Sequence, residues 1–342
     1  MTMKEKVWRT CRLMINGLAY KVQYNQATID NLFIPFLRRM SKTQQKLGRR
    51  MIVFMAAPPG IGKSTLALFL EKLSQTGEGL VPVQALGLDG FHYPNRYLTS
   101  HSIEREGKVI PLSSIKGSPE TFAVEKLIGK LTDVRQGDIR WPVYDRTIHD
   151  IIDEMVTVRK PIVILEGNWL LLGEERWQNV RSFADYSLFV TADPADLKNR
   201  LIQRKVAGGS TLEAAKKFYQ KIDRANVERC LKKSWPAEET WQMLPDGDYQ
   251  LKNKVMPTRM VDRAALWQKP DVRMQNPILG GLNQRNNEGN ALQPLYDEGY
   301  AHGLSMARKA ILKKLYESGT MSSKAILDTF QLSAEEFREI MK

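Results

Sequence analysis

RRMIVFMAAPPGIGKSTLALFL, residues 49–70, runs from an apolar strand into a glycine-bearing turn and out into a helix of good formers. The turn is Pro58-Pro59-Gly60-Ile61-Gly62-Lys63-Ser64-Thr65. In that setting successive backbone N–H groups can wrap a phosphate at a helix N-terminus, Lys63 reaches the β and γ phosphates, and the Ser64 hydroxyl can ligate Mg²⁺. Pro59, Gly60, Ile61, Gly62, Lys63, Ser64 and Thr65 are therefore the candidate nucleotide-binding residues. The full motif begins with glycine, and Ala57 stands there; alanine serves if that position keeps a negative φ.

Outward from this turn the pattern alternates strand and helix, the signature of a parallel α/β sheet with helices on both faces. Strands are expected near 51–56, 82–88, 161–166, 185–191 and 240–244, and helices near 63–75, 121–135, 194–207 and 211–233. Upstream, VWRTCRLMINGLAYKVQY is two alternating runs joined by Asn16-Gly17, a hairpin signal. An amphipathic helix over about 27–47 follows it. Downstream, 253–294 is rich in Asn, Gln, Gly and Pro and reads as a linker or loop. Helical spacing returns over 295–342, where Ser333 and Glu336 form a capping box. The expected organisation is a basic hairpin and helix (1–50), a core (51–252), the linker and a helical tail.

The 342 residues carry 51 Lys+Arg against 38 Asp+Glu, a net +13, with 42% hydrophobic residues. That composition excludes a disordered or fibrous chain, and a basic excess suits a polyanionic partner or phosphorylated small molecules. The excess is uneven: +9 lies in residues 1–50, +4 in 51–235 and none in 236–342. Two distant cysteines argue against a disulfide framework. With no run near the ~20 apolar residues of a membrane helix and no apolar signal core, a soluble cytoplasmic protein is expected.

Three further features carry chemistry. In VQALGLDGFHYPNRYL, Asp89 ends the second strand, where open α/β sheets place their ligands, and a carboxylate there can accept the proton of an attacking hydroxyl. Asp89-Gly90 is also the composition of a plain turn. IVILEGNWLLL ends a buried strand at Glu166, which can hold Mg²⁺ beside Ser64 or simply cap the strand end. DLKNRLIQRKVAGGST spaces Arg200, Arg204 and Lys205 along one helix that breaks at Gly208-Gly209, which suits a cationic lid and equally a solvated charged face. Trp141-Pro142-Val143-Tyr144-Asp145-Arg146, with His149 beyond it, reads by itself as a polar loop.

The order of PPGIGKST, LDGFHYPN, SPETFAVEKL, WPVYDRTIH, ILEGNWLLL and RLIQRKVAGG resembles the phosphoribulokinase/uridine kinase family of P-loop kinases, which includes type I pantothenate kinases. The likeness spans about Met51 to Cys230 and extends to the nucleoside/nucleotide kinase family. It implies ATP as donor, Mg²⁺, and a small-molecule hydroxyl as acceptor. By position it makes Lys63 and Ser64 phosphate and metal residues, Asp89 the catalytic base and Glu166 a metal support. It places His92, Tyr144, Arg146 and His149 at the acceptor, and Arg200 and Arg204 in the lid. Uridine kinases carry a substrate-binding arginine two residues after the histidine; Ile151 stands there, which puts a pyrimidine nucleoside in doubt. The tail is similar to the helical ends of transposase-related nucleases, yet its balanced charge argues against a phosphate-backbone grip, and it reads as a helical docking element.

The expectation is an ATP-dependent kinase acting on a nucleoside-, sugar- or pantothenate-like hydroxyl. Its rival is an ATP-gated regulatory module whose basic N-terminal arm or tail binds nucleic acid or protein. No membrane partner is expected, and a homo-oligomer is left open.

Overall fold

The computed structural model describes residues 6–254, apart from 16, 17, 106 and 147, together with the isolated positions 316, 322, 323, 337 and 341. Two compact units divide the chain, residues 1–263 and 264–342; the strands and helices named here all belong to the first. The Asn16-Gly17 turn, nearly all of the expected 253–294 linker, and the Ser333/Glu336 cap lie outside the described residues.

Strands β1 (Trp8–Ile15) and β2 (Leu18–Asn25) pair antiparallel from Trp8↔Asn25 to Ile15↔Leu18, so two residues connect them. Helix α1 (Ile34–Leu47) follows through a π-helical turn, Ile29–Phe33. Pro35 has no N–H for the regular ladder, which accounts for the irregular entry. β3 (Met51–Ala56), α2 (Lys63–Thr76) and β4 (Val83–Gly87) come next. After them lie the short α3 (Asn95–Ser100), a small hairpin of β5 (Ser102–Arg105) and β6 (Lys108–Pro111), and α4 (Val124–Gln136).

A second hairpin, β7 (Ile139–Asp145) and β8 (Asp150–Val158), occupies the stretch that reads as a polar loop. Its register shifts between Trp141 and Val143. Pro142, which cannot donate to a ladder, sits at that irregularity and hides the strand from the sequence pattern. The remaining elements are β9 (Ile162–Gly167), β10 (Tyr186–Thr191), α5 (Pro194–Ala207), α6 (Leu212–Phe218), α7 (Arg224–Lys233), β11 (Glu239–Met243) and β12 (Tyr249–Lys254). The helix expected over 211–233 is thus interrupted by a π turn at Tyr219–Asp223.

The main sheet has the order β4-β9-β3-β10-β11-β12, parallel throughout except for β12. All six residues of β3 are buried because both faces are covered. Met51, Val53 and Met55 join the core beneath α1, α2 and α5, while Ile52, Phe54 and Ala56 join the core beneath α4 and Trp141. β3 connects toward the β4 edge and its neighbour β9 toward β10, so a crevice opens between their carboxyl ends.

The N-terminal segment is part of this core. Phe33, Phe36, Leu37 and Met40 are buried, and Trp241 of β11 stacks on Phe33 at 5.3 Å and meets Phe36 edge-on at 5.2 Å. Arg39 pairs at 2.6 Å with the fully buried Glu239. Arg49 makes a two-pronged pair with Asp185 at 2.9 and 2.7 Å, Arg50 pairs with Asp138, and Lys6 with Asp246 and Asp248. Lys6, Arg39, Arg49 and Arg50, four of the eleven basic side chains of residues 1–50, are thus paired with carboxylates of the same unit, and the expected basic hairpin and helix pack on the core. No helix among the described residues is long and apolar enough to cross a membrane.

Candidate active site

The turn between β3 and α2 takes its shape from Gly60 and Gly62, whose φ values of 89° and 88° lie in the left-handed region. Ala57 is not among the non-glycine residues with positive φ, so alanine replaces the motif's first glycine without strain. Helix α2 starts at Lys63 with no side chain capping its N-terminus. Its first N–H groups are left for an anion, and the helix dipole favours one.

At the end of β9, beside this turn, the Ser64 hydroxyl donates to Glu166 Oε1 at 2.6 Å. Glu166 is buried, and burial pushes its carboxyl up, while nearby Lys63 and the Ser64 hydrogen bond pull it back. Asp89 and Arg146 also lie within electrostatic reach of this carboxylate. Hydroxyl and carboxylate oxygens side by side are the donor chemistry of a hard cation such as Mg²⁺, which takes few protein ligands and completes its shell with phosphates and water. Ser64 and Glu166 fit that ion.

Asp89 is exposed, in a 3₁₀ turn at Leu88–Phe91 directly after β4. The turn is held from behind: the indole N–H of buried Trp141 donates to the Gly87 carbonyl at 3.0 Å, and the Trp141 ring meets Phe91 edge-on at 4.9 Å. His92 is buried against Phe122, ring centres 3.9 Å apart, with Nδ1 2.8 Å from the Asp89 carbonyl. Burial holds the His92 pKa below its usual value, with Asp89 acting against the shift. An unfolded chain binds the His92 proton near pH 6.5, the folded one only at lower pH. Stability is thus expected to fall as pH drops through about 6.5, and His92→Gln to flatten that part of the profile; melting temperatures from about pH 5 to about pH 8 measure it.

Facing Asp89 is a cluster from three elements. Tyr144, on β7, donates its hydroxyl to the His149 carbonyl at 2.8 Å, and its pKa is pushed up to about 12 by burial, then by Asp150 and Asp89. Lys116 bonds Asn95 Oδ1 at 2.6 Å and the His149 carbonyl at 3.0 Å, and sits 4.7 Å from the centre of the Tyr144 ring. Burial lowers the Lys116 pKa while Asp150 and Asp89 hold it up. The structure thus brings Asp89, His92 and Tyr144 together. His149, at φ 54° in the turn of the β7–β8 hairpin, presents its carbonyl to this cluster and is itself exposed. Arg146 is exposed in the same turn. Lys116, Asn95 and Asp150 escaped the sequence reading; the lysine immediately precedes Gly117-Ser118-Pro119-Glu120, a segment already carrying the family likeness.

On α5 the exposed Arg200 donates from Nε to the Gly60 carbonyl at 2.9 Å, which ties the helix to the phosphate turn. Arg204, one helical turn on, lies near Asp223, Arg146 and Asp89. The two arginines therefore line the same mouth as Lys63.

No family model matches the chain. It is 43% identical over 238 residues to an uncharacterised protein, YggC, of Escherichia coli K12, across 69% of this chain and 97% of that protein. A pantothenate kinase of Enterococcus faecalis is 35% identical over 158 residues, 45% of this chain and 48% of the kinase. One of Cutibacterium acnes is 30% identical over 236 residues, 66% and 68% of the two chains. A solved structure from Silicibacter sp. TM1040, described as a candidate fructose transport system kinase, superposes with a TM-score of 0.52 at 30% identity, covering 60% of this chain and 98% of that one.

Proposed function

The chain belongs to the P-loop kinases of the phosphoribulokinase, uridine kinase and pantothenate kinase type, and from that premise we propose that it transfers the γ-phosphate of ATP to a hydroxyl of a nucleoside-, sugar- or pantothenate-like small molecule. The observation that carries this reading is the convergence on one carboxylate. Glu166, at the end of β9, bonds Ser64 at the end of the β3 turn and lies within electrostatic reach of both Lys63 and Asp89. Phosphate grip, metal support and base thus stand at three neighbouring strand ends.

In the proposed reaction the N–H groups at the start of α2 and Lys63 hold the β and γ phosphates. Ser64 and Glu166 would hold Mg²⁺, whose charge would offset that of the phosphates. Asp89 orients the acceptor hydroxyl and takes its proton as the new O–P bond forms and the bond to ADP breaks. Tyr144 and Lys116 bound the acceptor on the opposite side, and Arg200 and Arg204 neutralise the transferring phosphoryl group. Positioning and charge supply most of the acceleration.

The test is ADP release by the pure protein across a panel of nucleosides, sugars and pantothenate-like alcohols. One class should raise ADP formation well above the ATP-only background, with the phosphate recovered on the acceptor. A flat response across all three would reject the acceptor classes named here.

A further inference from the structure

A lysine ammonium has three N–H groups, and the hydrogen bonds of Lys116 use two of them. One goes to Asn95 Oδ1 at 2.6 Å, the other to the His149 carbonyl at 3.0 Å. Both partners are neutral oxygens, so neither cancels the charge. The ammonium lies 4.7 Å from the centre of the Tyr144 ring. That ring is 5.6 Å from the ring of His92, whose Nδ1 is 2.8 Å from the Asp89 carbonyl. Ammonium, phenol, imidazole and the turn that carries the base are therefore successive neighbours.

Asn95 is what aims the ammonium. Its Nδ2 donates to the His149 carbonyl at 2.8 Å, while its Oδ1 accepts from Lys116. An ammonium only donates and a carbonyl only accepts, so the amide can take no other orientation. Its main chain is fixed as well: the Asn95 N–H donates to both Asp150 oxygens, at 3.1 and 3.3 Å. Asp150 starts β8, and β7 of the same hairpin holds the Asp89 turn through the bond from Trp141 to the Gly87 carbonyl. One hairpin thus references both the ammonium and the base. A lysine stem is flexible, and fixing its head beforehand lowers the ordering cost of binding a ligand.

We propose that Asn95 is a positioning residue of the acceptor site, holding the Lys116 ammonium so that its third N–H meets an acceptor oxygen other than the hydroxyl that Asp89 deprotonates. This rests on the reading of Asp89 and Tyr144 as the acceptor site. Steady-state kinetics on the full chain test it, with whichever nucleoside, sugar or pantothenate-like alcohol raises ADP release. Asn95→Ala should lower kcat/KM for that acceptor about ten- to a hundredfold, as loss of a charge-assisted hydrogen bond implies. The KM for ATP and the melting temperature should stay close to the parent's. Asn95→Asp keeps an oxygen for the ammonium and should recover most of the loss. Lys116→Ala should lose at least as much as Asn95→Ala, and adding Asn95→Ala to it should cost nothing more. Additive losses, a parent-like acceptor kcat/KM in Asn95→Ala, or an equal loss for ATP would overturn the positioning role while sparing the kinase reading. A parent protein that releases no ADP with any of the three classes would overturn both.

Discussion

Asp89→Asn should leave the protein folded and able to bind ATP while its turnover on the true acceptor falls by about 10²–10⁴-fold, the usual share of general-base catalysis. The substitution keeps the shape of the side chain and removes its capacity to take a proton. It disturbs little else, because Asp89 is exposed and its contacts to His92 are made by its main-chain carbonyl, which the amide retains. The loss should appear in kcat, with the KM for ATP close to the parent's. Steady-state kinetics at saturating ATP checks this. Unchanged turnover would remove the base from Asp89, and a parallel loss of ATP affinity would place the residue in donor binding instead.

Gly90→Ala should cost about 2–4 kcal/mol of stability and a large part of the activity. A Cβ on residue 90 would stand 2.2 Å from the Pro142 carbonyl oxygen and 2.5 Å from its carbon. Both are main-chain atoms of β7, so no side-chain rotation relieves the clash. The turn must instead lift from the hairpin, which breaks the Trp141–Phe91 contact and moves Asp89 away from Glu166 and Tyr144. A denaturation midpoint measured beside kcat tests the coupling. A variant with parent stability and parent turnover would show that β7 does not fix the position of Asp89.

The parallel sheet was legible because its strands are written plainly. β3 and β9 are buried on both faces and appear as apolar runs, MIVFMA and IVIL, the second ending at Glu166-Gly167. The β7–β8 hairpin was not, because Arg140, Pro142 and the register shift break the alternation that marks a strand. At the site, Lys63 and Ser64 belong to a local motif, and Asp89 and Glu166 sit at strand ends that the pattern locates. Lys116, Asn95 and Asp150 have no such marker. They matter only because the chain after α3 and the β7–β8 hairpin fold against each other, as when Lys116 reaches the carbonyl of His149. His149 adds a contact no motif marks: in the hairpin turn its main-chain carbonyl accepts from both Tyr144 and Lys116.

The ion pairs and ring contacts that seat the N-terminal segment also set an order of assembly. Arg39 meets its partner 200 residues later in the chain, and Asn25 meets Asp248 across 223. During synthesis the apolar face of α1 is therefore made long before Trp241 and Glu239, which receive it. Contacts of such long range form late and slow the search for the native state. α1, made early in synthesis, is thus among the last elements of its unit to settle, once β11 has joined the sheet.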